Sequence, residues 1–146
     1  MGKKLLLASD HAGFPMKHHI YHWLKKHGHE VTDLGTDGEE SVDYPDFGHK
    51  LGSMIDENDE YVGIGLCGSG NGMNMSVSQH SSTRSALCWN TEIASLARRH
   101  NDANVCVLPG RFVTQNQAEE IVAEFLNTGF EGGRHENRVK KIPLKK

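Results

Sequence analysis

The chain has 146 residues, enough for one domain with its own core and too few for a second. Its 16 Lys and Arg against 19 Asp and Glu leave a formal charge of −3, which lacks the basic excess of a nucleic-acid binder. Apolar runs such as Leu5 to Ala8 fall far short of the roughly 18 residues that span a bilayer, so no membrane partner, cleavable signal or anchor is expected.

Lys4 to Ser9 reads as a strand that stops at Asp10-His11-Ala12-Gly13. Pro15 then opens a helix with Met16, Ile20, Trp23 and Leu24 on its apolar face, and Gly28 closes it. Glu30 to Gly35 is a second strand, followed by a polar loop to Asp43 and a helix from Tyr44 to Ile55. Tyr61 to Cys67 is apolar almost throughout, as in strands buried on both faces of a parallel sheet. After the glycine-rich Gly68 to Gly72 come a helix over Met73 to Gln79 and a strand over Thr83 to Trp89. A helix over Thr91 to Arg99, capped by Asn90 or Thr91, leads to a fifth strand over Asn104 to Leu108. Thr114 opens a helix with Ala118, Ile121, Val122, Phe125 and Leu126 on one face, before the tail from Phe130.

Five strand-helix units imply an α/β fold, a doubly wound parallel sheet with helices on both faces in a Rossmann-like sandwich. The expected organisation is one domain over residues 1–146, with a tail over 130–146. In such sheets ligands bind beyond the carboxyl ends of the strands, where this chain has Asp10 and His11, Cys67 and the glycine loop, and Gly110 and Arg111.

Cys67 ends an apolar strand and precedes three glycines in five residues, which free the backbone to wrap an anion. A thiol there can ionise and serve as a base or nucleophile. Cys88 and Cys106 lie in apolar strands and read as inert; an odd, unpaired set of three cysteines fits a reducing compartment, so a cytoplasmic location is expected. Gly63 to Gly68 spells GxGxxG, but its first two glycines fall inside the strand, so it is not a dinucleotide fingerprint.

Arg134 and Arg138, four residues apart, share one face if the tail is helical and can grip a phosphate dianion, with His135 and Arg111 able to join them. His100 follows Arg98 and Arg99 at a helix end that favours its charged form. His18 and His22 have the spacing of a ligand pair but no evident third ligand. With His19, His27 and His29 they read as a wet helix face, and neither metal nor cofactor is expected.

Asp10-His11-Ala12-Gly13, Cys67 to Gly72, His100 to Val105 and Phe130 to His135 together resemble ribose-5-phosphate isomerase B, in the family's order and spacing from about Lys3 to Ile142. The resemblance implies that Cys67 is the proton acceptor at the substrate carbon and that His100 assists ring opening; as a mechanistic hypothesis, Asp10 joins His100 in that step. It also implies substrate contacts from Asp10, His11, Gly68, Ser69, Gly70, Asn71, Gly72, Asn101, Arg111, Arg134 and Arg138. Implied too are a sugar-phosphate substrate, no metal, and a homodimer or homotetramer with sites at subunit interfaces.

The chain departs from the family's pattern at Ser69, usually threonine, at Asn71, usually apolar, and at Trp89-Asn90, usually more polar. The Ser69 hydroxyl keeps the ability to move a proton between neighbouring substrate oxygens, whereas Asn71 and Trp89 bear on sugar length and stereochemistry. The expected reaction is interconversion of ribose 5-phosphate and ribulose 5-phosphate. Isomerisation of allose 6-phosphate or galactose 6-phosphate, and non-catalytic sugar-phosphate sensing, are the alternatives.

Overall fold

A computed structural model describes residues 4–144. The expected bounds of domain and tail include residues 1–3 and 145–146, which lie outside the described residues.

The elements run β1 (Lys4–Ser9), α1 (Phe14–Lys26), β2 (Glu30–Asp33), α2 (Tyr44–Glu57), β3 (Val62–Cys67), α3 (Asn71–Val77), β4 (Ser85–Leu87), α4 (Thr91–Asn101), β5 (Val105–Pro109), α5 (Gln115–Asn127) and α6 (Arg134–Lys140). All strand pairings are parallel, in the order β2-β1-β3-β5-β4. This is the expected α/β architecture. Strand order is not legible in local periodicity, and the structure adds that β5 inserts between β3 and the edge strand β4.

The apolar strands divide their side chains between two cores because successive residues point to opposite faces. Leu5, Leu7, Ile64, Leu66, Cys106 and Leu108 pack under α1, α4 and α5, whereas Leu6, Ala8, Val105 and Val107 pack under α2 and α3. Gly63 and Gly65 also face α2 and α3. A Cβ on Gly65 would lie 2.9 Å from Met73 Cγ, so these glycines let α2 and α3 sit close to the sheet, in keeping with their exclusion as a dinucleotide motif.

Boundary differences have local causes. β2 stops at Asp33 because its carboxylate turns to Lys17 and to the Gly35 N–H. Gly70 adopts φ +83, a left-handed turn that starts α3 at Asn71 rather than Met73. β4 is only three residues long, which leaves Cys88 just beyond it, still bonded through its N–H to the Val107 carbonyl. Asn90 caps α4 by accepting the Ile93 N–H, and Thr114 with Gln117 forms the capping box of α5.

Of the histidines expected on a wet face, His18, His22 and His27 are exposed. His19 is an exception: it is half-buried, with Nε2 2.6 Å from Glu119 on α5. No described helix is long and apolar enough to cross a membrane.

Candidate active site

The carboxyl edge of the sheet gathers Asp10, His11, Cys67, the glycine loop and Arg111. The register pairs Ser9 with Leu66 and Cys67 with Pro109, so Asp10 stands level with Cys67 on the neighbouring strand. Cys67 is 5% exposed and belongs to the core beneath α2 and α3. Asp10 is also buried, and its carboxylate accepts the Gly13 N–H at 2.9 Å, tying strand β1 to the start of α1. Gly13 is needed there because a Cβ would lie 2.8 Å from the Leu66 carbonyl carbon and oxygen.

His11 is half-buried, and its Nδ1 accepts the Val42 N–H at 3.1 Å. In the neutral ring that bond leaves the proton on Nε2, which makes His11 a donor to an anion. The Gly110 N–H donates to the Cys67 carbonyl and the Arg111 N–H to the Gly68 carbonyl, fixing the turn after β5 against the loop after β3. A Cβ on Gly68 would lie 3.4 Å from Arg111 Cδ and 3.7 Å from its Nη1, so the guanidinium stem crosses the loop. A cleft of about 300 Å³ lies between His11 and Arg111.

Ser69 is exposed, and its Oγ accepts the Asn71 N–H at 3.3 Å, while Asn71 itself is exposed at the start of α3. Tyr44 is a residue that sequence reasoning missed as a site component. Its ring lies directly over Gly72, where a Cβ would clash with it, so the glycine makes room for an aromatic wall. The only sequence signal was its place just after the polar loop, which also suits a plain helix start.

The remaining candidates lie elsewhere. The α4 helix starts after the carboxyl end of β4 and runs back along the sheet, so His100, nine residues on, is carried about 14 Å toward the opposite edge. There the Gly63 N–H meets the Asn104 carbonyl, just after Asn101 and four strand residues below Cys67. The tail does form a helix, with Arg134 and Arg138 exposed on α6, which packs against α4. Thus His100, Asn101, Arg134 and Arg138 form one group, and Asp10, His11, Cys67, Gly68 to Gly72 and Arg111 form another. Within one chain Arg111 does not join Arg134 and Arg138, because β5 and the helix α4 separate their ends of the sheet.

The second group has its own geometry. The His100 and His135 rings stack with centroids 4.2 Å apart and planes 17° from parallel. Glu131 Oε1 lies 3.8 Å from His100 Nε2 and 3.6 Å from His135 Nε2, and its other oxygen is 3.3 Å from Arg99 Nη1. Burial holds the His135 pKa below its ordinary value, and the positive charges of His100, Arg134 and Arg138 add to that effect, while Glu131 opposes it. Among the described residues this trio brings three donor atoms within 4.8 Å, but near-parallel rings leave a shared ion out of both ring planes, so it is not identified as a ligand set.

Cys106 is fully buried, and its hydrogen bond with the Cys88 thiol, together with burial, raises its pKa well above the usual thiol value. Cys88 is buried as well, and burial of both thiols suits the inert role read from the sequence.

Comparison with known proteins adds a third line of observation. Residues 5–142 match the sequence profile of the Ribose/Galactose Isomerase family. The chain is 36% identical over 140 residues to ribose-5-phosphate isomerase B of Escherichia coli, covering 96% of this chain and 94% of that one. It superposes on the crystal structure of a Thermotoga maritima ribose 5-phosphate isomerase with a TM-score of 0.95 at 46% identity, covering 98% and 99% of the two chains. The ribose-5-phosphate isomerase B of Mycoplasma genitalium, whose structure holds bound ribulose 5-phosphate, gives a TM-score of 0.93 at 39% identity, covering 97% and 95%.

Proposed function

We infer the function from the family to which this chain belongs, the ribose/galactose isomerases: it is an aldose–ketose isomerase that interconverts D-ribose 5-phosphate and D-ribulose 5-phosphate. The observation that carries the substrate is the ribulose 5-phosphate held by the Mycoplasma genitalium relative.

The reaction moves one proton between C1 and C2 of an open-chain sugar. Cys67, as thiolate, takes the proton beside the carbonyl, giving a cis-enediolate. Backbone N–H groups of the loop from Gly68 to Gly72 hold that anion, and preorganised donors of this kind contribute about 3–4 kcal/mol each. The Ser69 hydroxyl passes a proton between O1 and O2. His100, with Asp10, opens the furanose beforehand. Arg111, Arg134 and Arg138, with His11, hold the phosphate and so fix the carbon chain over the sulfur.

These roles require the two groups to meet, and one chain holds them at opposite ends of its sheet. The site is therefore composed from two copies of the chain: the Cys67 group of one and the His100 group of its neighbour, in a homodimer or a homotetramer of such dimers. Exposed apolar side chains favour this reading. Phe112, next to Arg111, is 75% exposed, Met75 on α3 is 65% exposed, and Trp89, just past β4, is 56% exposed. Each copy contributes a single isomerase domain, and the unpaired cysteines accord with a cytoplasmic enzyme.

Mixing two inactive variants tests the composite site. In a dimer refolded from equal amounts of Cys67→Ala and His100→Asn chains, half the dimers are mixed and each of these has one of its two sites intact, so about a quarter of native activity returns. No recovery in verified mixed dimers would sink the composite site.

A further inference from the structure

We propose that Glu131 is a positioning residue for ring opening: its carboxylate, clamped by Arg99, faces the Nε2 edge of His100 and holds that ring in its working orientation against the stacked His135 ring. The inference rests on the assignment of ring opening to His100.

The clamp is built from several points. Glu131 donates its own N–H to the Arg99 carbonyl at 3.0 Å, and one carboxylate oxygen faces Arg99 Nη1 at 3.3 Å. That leaves the other oxygen aimed between the two imidazole edges, 3.8 Å from His100 Nε2 and 3.6 Å from His135 Nε2. The loop carrying Glu131 is thereby fastened to the last turn of α4, so the carboxylate and His100 move as one unit.

The stack limits the charge the pair can carry. Two imidazolium rings 4.2 Å apart repel each other, so the pair disfavours holding two positive charges at once. The groups facing the pair are Arg99 from α4, Glu131 from the preceding loop, and Arg134 and Arg138 from α6. His135 is buried and adjoins Arg134, both of which favour its neutral form. His100, half-buried at the end of α4, keeps its Nε2 edge toward Glu131. His135 then serves as the flat wall against which the catalytic ring lies.

The chemistry supplies a selective test. Ribose 5-phosphate closes to a furanose, whereas ribulose 5-phosphate has its C5 oxygen esterified and stays open. Solvent deuterium enters C1 of ribulose 5-phosphate through the enediolate without any ring-opening step. Glu131→Gln should therefore slow turnover of ribose 5-phosphate at least about tenfold while changing initial deuterium uptake into ribulose 5-phosphate by less than about twofold. Glu131→Asp should recover part of the loss, and His100→Asn should show the same split more strongly. Equal slowing of both reactions, or of neither, by Glu131→Gln overturns the inference when His100→Asn still splits them. Absence of the split in His100→Asn overturns the ring-opening assignment, and this inference with it.

Discussion

Lys17, with no exposed surface, places its Nζ 2.6 and 2.7 Å from the two carboxylate oxygens of Asp33, joining the first turn of α1 to the end of β2. Asp33 is about a third exposed, so only one member of the pair depends wholly on the other for solvation. Asp33→Ala should cost about 3 kcal/mol or more, because it strands a buried ammonium. Lys17→Met should cost about 1 kcal/mol, since the carboxylate left behind can reach water. Denaturant titration of the two variants checks the asymmetry, and equal costs would refute it.

Cys67→Ala should lower turnover of ribose 5-phosphate by at least about 100-fold, the scale of losing a positioned base. Removing one sulfur from the core should cost about 1 kcal/mol at most, and sugar-phosphate binding should persist. Kinetics, calorimetric binding and melting measured on one preparation separate these effects. A variant with full activity rules out the cysteine as base.

Turnover should favour ribose 5-phosphate over allose 6-phosphate and galactose 6-phosphate, and a chelator should leave it unchanged. Specificity constants for the three sugars check this. A preference for a hexose would assign Asn71 or Trp89 to sugar length.

Two glycines should differ in their tolerance of a methyl group. At Gly65 the added Cβ meets Met73 Cγ at 2.9 Å, a buried side chain that must shift while the backbone stays in place, so Gly65→Ala should cost about 1–2 kcal/mol. At Gly13 it meets the backbone of the central strand β3 at Leu66, so Gly13→Ala should cost about 3 kcal/mol and disturb the Asp10 bond as well. Thermal unfolding of both variants distinguishes the cases.

His135 predicts an acid sensitivity of the fold. Its native pKa lies below the value of about 6.5 in the unfolded chain, so within that window the unfolded state binds more protons. Stability therefore rises as pH increases through the window and falls on acidification below about 6.5. The melting temperature of the native protein should drop more between pH 7 and pH 5 than that of His135→Asn. Parallel curves would assign the pH dependence to other groups.

The sequence by itself determined the kind and order of the elements, because helix and strand periodicity, caps and glycine turns act over a few residues. It also marked Cys67 before its glycine loop and the Arg134, Arg138 pair, since each depends on adjacent residues or one helical turn. Only the tertiary structure decided that β5 enters between β3 and β4, that Lys17 is buried against Asp33, and that Tyr44 covers Gly72. It alone also sent His100 to the far edge of the sheet from Cys67 and set Glu131 between two stacked rings. Those arrangements depend on pairings between distant segments and on the length of α4, which sets how far its last turn lies from the strand end where it began; no local pattern of residues encodes them.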